Sequence, residues 1–228
     1  MVVGESISLL TFDNGTTHIV HLMQGGRLRP DAKQSAEPRG GLCRWVFDSD
    51  EAWLLTEAGT ERRAGVWVVD GDPLVQPPLD YLGPEADTIT LTQLRAMCSA
   101  NSRRLHGLLR SQKDIAGIGR LLANEICFAA KISPFANAAK LSDQRSKTLH
   151  AATKAVLKSA LTQERTLDDI GKSADRPSNV HNRVGESCPV CDDVVRTVEY
   201  RKYIVFYCAT CQTNGKVLAD NTTSKFLR

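Results

Sequence analysis

Apolar and polar positions alternate in short runs along the first third of the chain, and turn formers bound those runs. Residues 6–12 (SISLLTF) lead into Asp13-Asn14-Gly15, a hairpin signal, and residues 18–22 (HIVHL) follow before Gly25-Gly26. A second set at 41–47, 51–55 and 65–69 has turns at Asp48-Ser49-Asp50 and Gly59-Thr60. Short strands at this spacing predict part of a sheet sandwich or barrel. Pro73, Pro77, Pro78 and Pro84 then mark a linker. From Thr90 the period becomes helical. Leu91, Leu94, Met97 and Cys98 suit one helix, and Leu105, Leu108 and Leu109 a second after Asn101-Ser102. A third opens near Gly119 and carries Leu122, Ile126 and Ala130, until Ser133-Pro134 breaks it. Ser142-Asp143 caps a long helix to about Gln163, with Leu149, Ala152, Val156 and Leu161 near one face. Residues 166–182 are polar, contain Gly171, Ser173 and Pro177, and read as a loop. No internal repeat is visible.

Composition narrows the class. In 228 residues, 42% apolar and 24% charged are ordinary values for a globular protein, and no run approaches the roughly 18–20 apolar residues of a membrane span. Met1 to Leu10 hold Glu5 and neither Lys nor Arg, unlike a secretory signal or transit peptide, so a soluble intracellular protein is expected. The net charge of +3 hides an asymmetry. Residues 1–87 carry 7 Lys/Arg against 14 Asp/Glu, and residues 88–228 carry 22 against 12. A basic second part points to a polyanion, most commonly nucleic acid; the alternative is a solvated basic face.

The seven cysteines are more decisive. Cys43, Cys98 and Cys127 stand singly in apolar or helical contexts and read as small buried hydrophobes. Cys188, Cys191, Cys208 and Cys211 form two CxxC pairs sixteen residues apart. That is the spacing of a four-thiolate zinc ribbon, in which two turns present their sulfurs to one tetrahedral ion. Val194 to Tyr207 (VVRTVEYRKYIVFY) has the β-branched and aromatic content of a hairpin. One structural zinc ion is expected, supplying on the order of 10 kcal/mol of folding free energy. Four sulfurs leave it no open position for catalysis. Arg196, Arg201 and Lys202 make a candidate phosphate-facing surface on the hairpin.

Residues 112–128 read QKDIAGIGRLLANEICF. Gly117 and Gly119 permit a tight turn before a helix whose first amides can bind phosphate, with Lys113 and Arg120 beside it. The whole segment, with ANEI.F and the Ser-Pro turn, resembles the helix-two-turns-helix motif of the formamidopyrimidine-DNA glycosylase and endonuclease VIII family. The resemblance continues in order along the chain. Residues 9–29 (LLTFDNGTTHIVHLMQGGRLR) look like that family's strand-turn-strand and HLxxxGRL segment, 180–191 (VHNRVGESCPVC) like its lead into the zinc finger, and the ribbon has its spacing.

The fold this implies is α+β and multidomain: an incomplete N-terminal β-sandwich (1–87), an all-α helix-two-turns-helix domain (88–165), a loop (166–182) and a zinc finger (183–228). Its implied partner is double-stranded DNA with a damaged base or abasic site, bound by a monomer in the bacterial cytoplasm or nucleoid. Carried over residue by residue, the resemblance assigns DNA contacts to Lys113, Arg120, Asn124 and the hairpin cations Arg201 and Lys202, and a structural place beneath the DNA-facing helix to Glu125. Arg120 stands where many members have asparagine, and Tyr203 where many have a DNA-inserting arginine. Met23 and Gln24 fall where members fill the gap left by a flipped nucleotide; the alternative for Met23 is a buried strand residue.

The chemistry departs from the family. Its members attack the sugar with the secondary amine of an N-terminal proline beside a glutamate. Here the sequence opens Met1-Val2-Val3, a further family lysine position reads Glu5, and the first lysine is Lys33. No catalytic residue is assigned. Two hypotheses follow: a reading frame that starts late in a bifunctional glycosylase and AP lyase, or a base-excision-repair protein that binds damaged DNA without cutting it. A zinc-ribbon RNA-binding protein is a third. The loop at 166–182 is shorter than the one covering an oxidised purine in formamidopyrimidine-type members, which favours endonuclease VIII-like pyrimidine lesions.

Overall fold

The computed structural model describes residues 7–23, 25–166, 176–200 and 203–218. Met1, Val2, Val3, Glu5, Gln24, Arg201, Lys202 and most of the 166–182 loop lie outside them. The chain divides into two compact units, one ending at Leu82 and the other beginning at Gly83.

The first unit holds two antiparallel three-stranded sheets. Strands β1 (Ile7–Thr11), β2 (Thr16–His21) and β6 (Gly65–Asp70) form one, in the order β1-β2-β6; β3 (Gly26–Pro30), β4 (Gly41–Val46) and β5 (Ala52–Glu57) form the other, in the order β3-β5-β4. The turn at residues 13–15 closes the β1–β2 hairpin, with Ile7 opposite His21 and Thr11 opposite Thr17. Strand β2 is covered on both faces. Ile19 packs with Ile7, Leu9 and Val69, while Val20 packs with Leu28, Trp45 and Leu55 in the layer the two sheets share. The short β3 escapes the sequence reading because it is a GRLRP run with one apolar residue, Leu28, to turn inward. Gly26 is required where it enters: a Cβ there would collide with the Leu22 carbonyl. The proline-rich stretch does more than link, since Leu79 and Leu82 cover the outer face of the first sheet.

The second unit begins five residues before the boundary drawn from sequence. Ala86 N donates to Ala116 O and Ala116 N to Pro84 O, so the chain after Gly83 is laced to the helical body. Helices α1 (Leu91–Ser99), α2 (Leu105–Leu109), α3 (Arg120–Ala129) and α4 (Asp143–Arg165) surround a core that includes Leu94, Leu105, Leu108, Ile115, Ile126 and Leu149. Thr90 and Gln93 cap α1 reciprocally, and Ser142 Oγ accepts from Arg145 N at the start of α4. Leu161 of α4 is exposed, so the packed stripe of that helix ends short of its last turns. Cys98 and Cys127 are buried, as expected of small hydrophobes, and burial pushes the Cys98 thiol up to about 11. Strands β7 (Val195–Tyr200) and β8 (Tyr203–Cys208) pair as a hairpin, and α5 (Ala209–Thr213) follows. No helix among the described residues is long and apolar enough to cross a membrane.

Candidate nucleic-acid interface and metal centre

Between α2 and α3 the chain makes two turns that the side chain of Gln112 holds shut. Its Nε2 donates to Ile118 O at 3.0 Å, and its Oε1 accepts from Gly117 N at 3.0 Å. Gly117 has φ +90°, a conformation only glycine adopts without strain. Gly119 is the N-cap of α3 and offers no side chain to the first-turn amides. Lys113 and Arg120 are both exposed beside this turn. The result is a positive helix end with two cations at its rim, a geometry suited to an anion. Asp114 is turned away from it, accepting from Arg103 Nη2 at 2.5 Å and from Ser111 Oγ.

Glu125 and Asn124 form the underside of α3. Glu125 is buried, and its carboxylate accepts from Asn179 N and Nδ2 at 2.9 Å and from Val180 N and His181 N at 3.0 Å. It fixes the segment that leads into the ribbon, which is the structural place expected of it. Asn124 does not fit the expected DNA contact. It is fully buried, its Nδ2 pairs with His181 Nδ1 at 2.8 Å, and its Oδ1 accepts from Phe206 N at 3.2 Å. Ala123 and Glu125 on either side of it are buried too, and both ends of its amide are taken.

At the ribbon, the four cysteine sulfurs lie within 4.8 Å of one another. The separations Cys188–Cys211, Cys191–Cys208 and Cys191–Cys211 are 3.9, 3.4 and 3.4 Å. Sulfurs bonded at about 2.3 Å to one tetrahedral ion stand about 3.8 Å apart, so the set can hold a metal ion. Burial pushes the Cys208 thiol up to about 11, and burial and the neighbouring sulfurs raise Cys211 too, so a cation is what lets these groups be thiolates together. Asp193 braces both turns: it accepts from Thr210 N and Oγ1 and from Arg196 Nη1, with Arg196 and Thr210 holding its carboxyl down at about 2. Arg196 is thereby committed to the metal loop, which corrects its reading as a phosphate-facing cation. Gln212, buried, links the ribbon to the helices by accepting from Cys208 N and donating to Ile132 O.

Met23 stands in the first unit, in the turn between β2 and β3. It is 38% exposed with φ +51°, so the buried-strand alternative for it is set aside. Tyr203 opens β8 with the Arg110 guanidinium 4.3 Å above its ring centre. Arg201 and Lys202 fall between β7 and β8, outside the described residues. Sequence reasoning missed Gln112, Asp193, Gln212 and His181, because each has at least one partner that lies six to eighty residues away and no local pattern names it.

Residues 82–170 match the formamidopyrimidine-DNA glycosylase H2TH domain. A Mycobacterium tuberculosis protein described as an uncharacterized formamidopyrimidine-DNA glycosylase-like protein is 40% identical over 149 residues, covering 64% of this chain and 94% of its own length. The chain belongs to the formamidopyrimidine-DNA glycosylase and endonuclease VIII family. The formamidopyrimidine-DNA glycosylase of Chloroflexus aurantiacus is 28% identical over 90% of this chain and 76% of that protein. The Lactococcus lactis Fpg, solved with DNA containing an abasic site, superposes with a TM-score of 0.80 at 18% identity, over 92% of this chain and 79% of that one. That likeness establishes a shared fold.

Proposed function

We propose that this protein is a base-excision-repair factor that binds duplex DNA at a damaged base or abasic site, with one structural zinc ion in its ribbon. The observation that carries the reading is the pair of exposed cations, Lys113 and Arg120, at the uncapped start of α3, on a helix that Glu125 and Asn124 tie to the four-cysteine ribbon. Lys113 and Arg120 take phosphates, helped by the first amides of α3. Arg201 and Lys202, at the hairpin turn in sequence, extend the grip, and Met23 enters the space of an extruded nucleotide. Zinc, held by Cys188, Cys191, Cys208 and Cys211, is saturated by sulfur and supplies rigidity to the hairpin. The chain works as a monomer, and pyrimidine lesions are its preferred targets.

The family's chemistry needs an amine nucleophile, and the given sequence opens Met1-Val2-Val3-Gly4-Glu5 without a Pro-Glu pair. The role proposed for these 228 residues is recognition, holding the lesion; none of them is assigned as the nucleophile. Borohydride trapping on abasic and oxidised-base duplexes tests this directly. The expected result is salt-sensitive retention of DNA and no covalent adduct; a clear adduct would show that another amine substitutes. Charge reversal at Lys113 and Arg120 should flatten the dependence of affinity on salt by about 0.9 in log-log slope per lost phosphate contact. Preference for double-stranded RNA over abasic DNA would overturn the reading.

A further inference from the structure

His106, the second residue of α2, is 5% exposed, and its Nε2 has no hydrogen-bond partner. A buried polar atom in that state is costly and calls for an explanation. The imidazole lines a cavity of about 290 Å³ together with Arg104, Arg110, Phe135 and Tyr203. The walls are fixed: Arg104 Nη1 donates to Phe135 O at 3.0 Å, and Arg110 lies over the Tyr203 ring. On its other side His106 is hydrogen-bonded to the backbone of Arg120, the first residue of α3. The cavity therefore adjoins the helix end already assigned to phosphate binding.

The charges around His106 are almost all of one sign. Arg104 and Arg110 are the N-cap and C-cap of α2, Arg120 comes from α3, and His181 from the segment before the ribbon; Tyr203 contributes a ring face from β8. Glu125 is the carboxylate that faces His181, and its oxygens are occupied by the amides of residues 179–181. Burial first, then Arg110 and His181, push His106 down to about 3, while the hydrogen bond to Arg120 works the other way. Burial also lowers His181, with Arg120 adding to it and Glu125 opposing. The free protein has built a pocket for an anion and left the imidazole neutral in it.

We propose that this cavity is a subsite for one phosphodiester of the bound DNA, and that seating the phosphate there protonates His106. One proton from solvent completes the imidazolium, which then donates Nε2–H to a phosphate oxygen; no other bond is made or broken. The phosphate brings the counter-charge that the free pocket lacks and cancels the repulsion from Arg110. DNA binding then takes up a proton, so affinity rises as pH falls, by at most tenfold per pH unit for one group. A ligand that merely donated a hydrogen bond to Nε2 would show no such linkage. The inference rests on the DNA-binding reading above and adds a proton to it.

The test uses the full zinc-loaded chain, an abasic-site duplex, and fluorescence anisotropy at constant ionic strength between pH 8 and pH 6. Affinity should rise several-fold towards pH 6 for the unaltered protein and stay flat for His106→Gln. His106→Lys, which brings a charge to the seated phosphate at pH 8, should bind there about as tightly as the unaltered protein at pH 6. A flat profile for the unaltered protein, or a slope that survives in His106→Gln, overturns the proposal. Titration calorimetry in two buffers of different ionisation enthalpy counts the protons with no substitution: close to one near pH 6 is expected, and none overturns it. The same uptake with millimolar inorganic phosphate alone would make the cavity a free-anion site and overturn the DNA assignment. Loss of DNA binding at every pH would instead strike the underlying functional reading.

Discussion

Two buried carboxylates do similar work at different range, and the contrast between them distinguishes the two units. Glu57 ends β5 and accepts from Arg63 N at 2.6 Å and Ala64 N at 2.8 Å, closing the connection that leads into β6 within its own unit. Glu125 sits in α3 and accepts from residues more than fifty positions away, fixing the approach to the ribbon. The first unit is held chiefly by apolar layers around Ile19, Val20 and Leu55, with polar ties of shorter range such as Trp45 Nε1 donating to His18 Nδ1 at 2.9 Å. The second adds long-range polar ties through Asn124, Glu125 and Gln212. Apolar layers tolerate small slips, because dispersion and area are not directional. Buried hydrogen bonds do not, since a slip leaves a donor or acceptor unpaired in a low dielectric. The unit that must present cations at fixed spacing is the one stitched by direction-dependent bonds.

The contrast breaks most sharply at the metal. Chelation, or Cys208→Ser, should melt the ribbon with a loss on the order of 10 kcal/mol of metal-linked folding free energy, read as lost exchange protection from Val195 to Cys208. The β sheets of the first unit should keep theirs. Glu125→Ala comes next: about 3–5 kcal/mol in denaturant titration, because several amides lose one charged acceptor, and DNA affinity should fall with it. Glu57→Ala should cost less, about 1–3 kcal/mol, and leave DNA affinity unchanged; equal effects of the two substitutions on binding would erase the distinction between local and long-range ties.

Acid sharpens the same comparison inside the second unit. His106 titrates near 6.5 when unfolded and at about 3 in the fold, so the unfolded chain binds the extra proton in between. Stability is therefore full above about 6.5 and is lost as pH falls towards 3; from 6.5 to 5 the expected loss is about 1–2 kcal/mol in the DNA-free protein. His106→Gln should remove that slope in thermal melts. The smallest stability effect belongs to Met23→Ala, within about 0.5 kcal/mol, since the side chain stands in an exposed turn. Its signature is a reduced preference for abasic over intact duplex in competition binding.

Local signals made much of this protein legible. The Asp13-Asn14-Gly15 turn, the change from period two to helical period at Thr90, the Ser142 cap and the paired CxxC turns each carry their own physics within a few residues, and each has its counterpart in the fold. Strand β3 was not legible, because one inward Leu28 among arginines makes no alternation to read. Nor was the fate of Asn124. Its neighbour Arg120 faces solvent and Glu125 faces inward, and a sequence position on a ten-residue helix does not say on which side of that divide it falls.

The sequence by itself determined most of the elements, the four-cysteine cluster and the placement of positive charge in the later part of the chain, since those depend on residue type and near neighbours. Only the tertiary structure decided which polar groups are spent on holding the protein together and which remain for a ligand. Arg196 is committed to Asp193, Asn124 to His181 and Phe206, and Glu125 to residues 179–181, whereas Lys113 and Arg120 stand exposed and His106 keeps an unpaired nitrogen beside them. Hydrogen-bond donors and acceptors are claimed by whatever folds against them, and that is a property of contacts between distant segments.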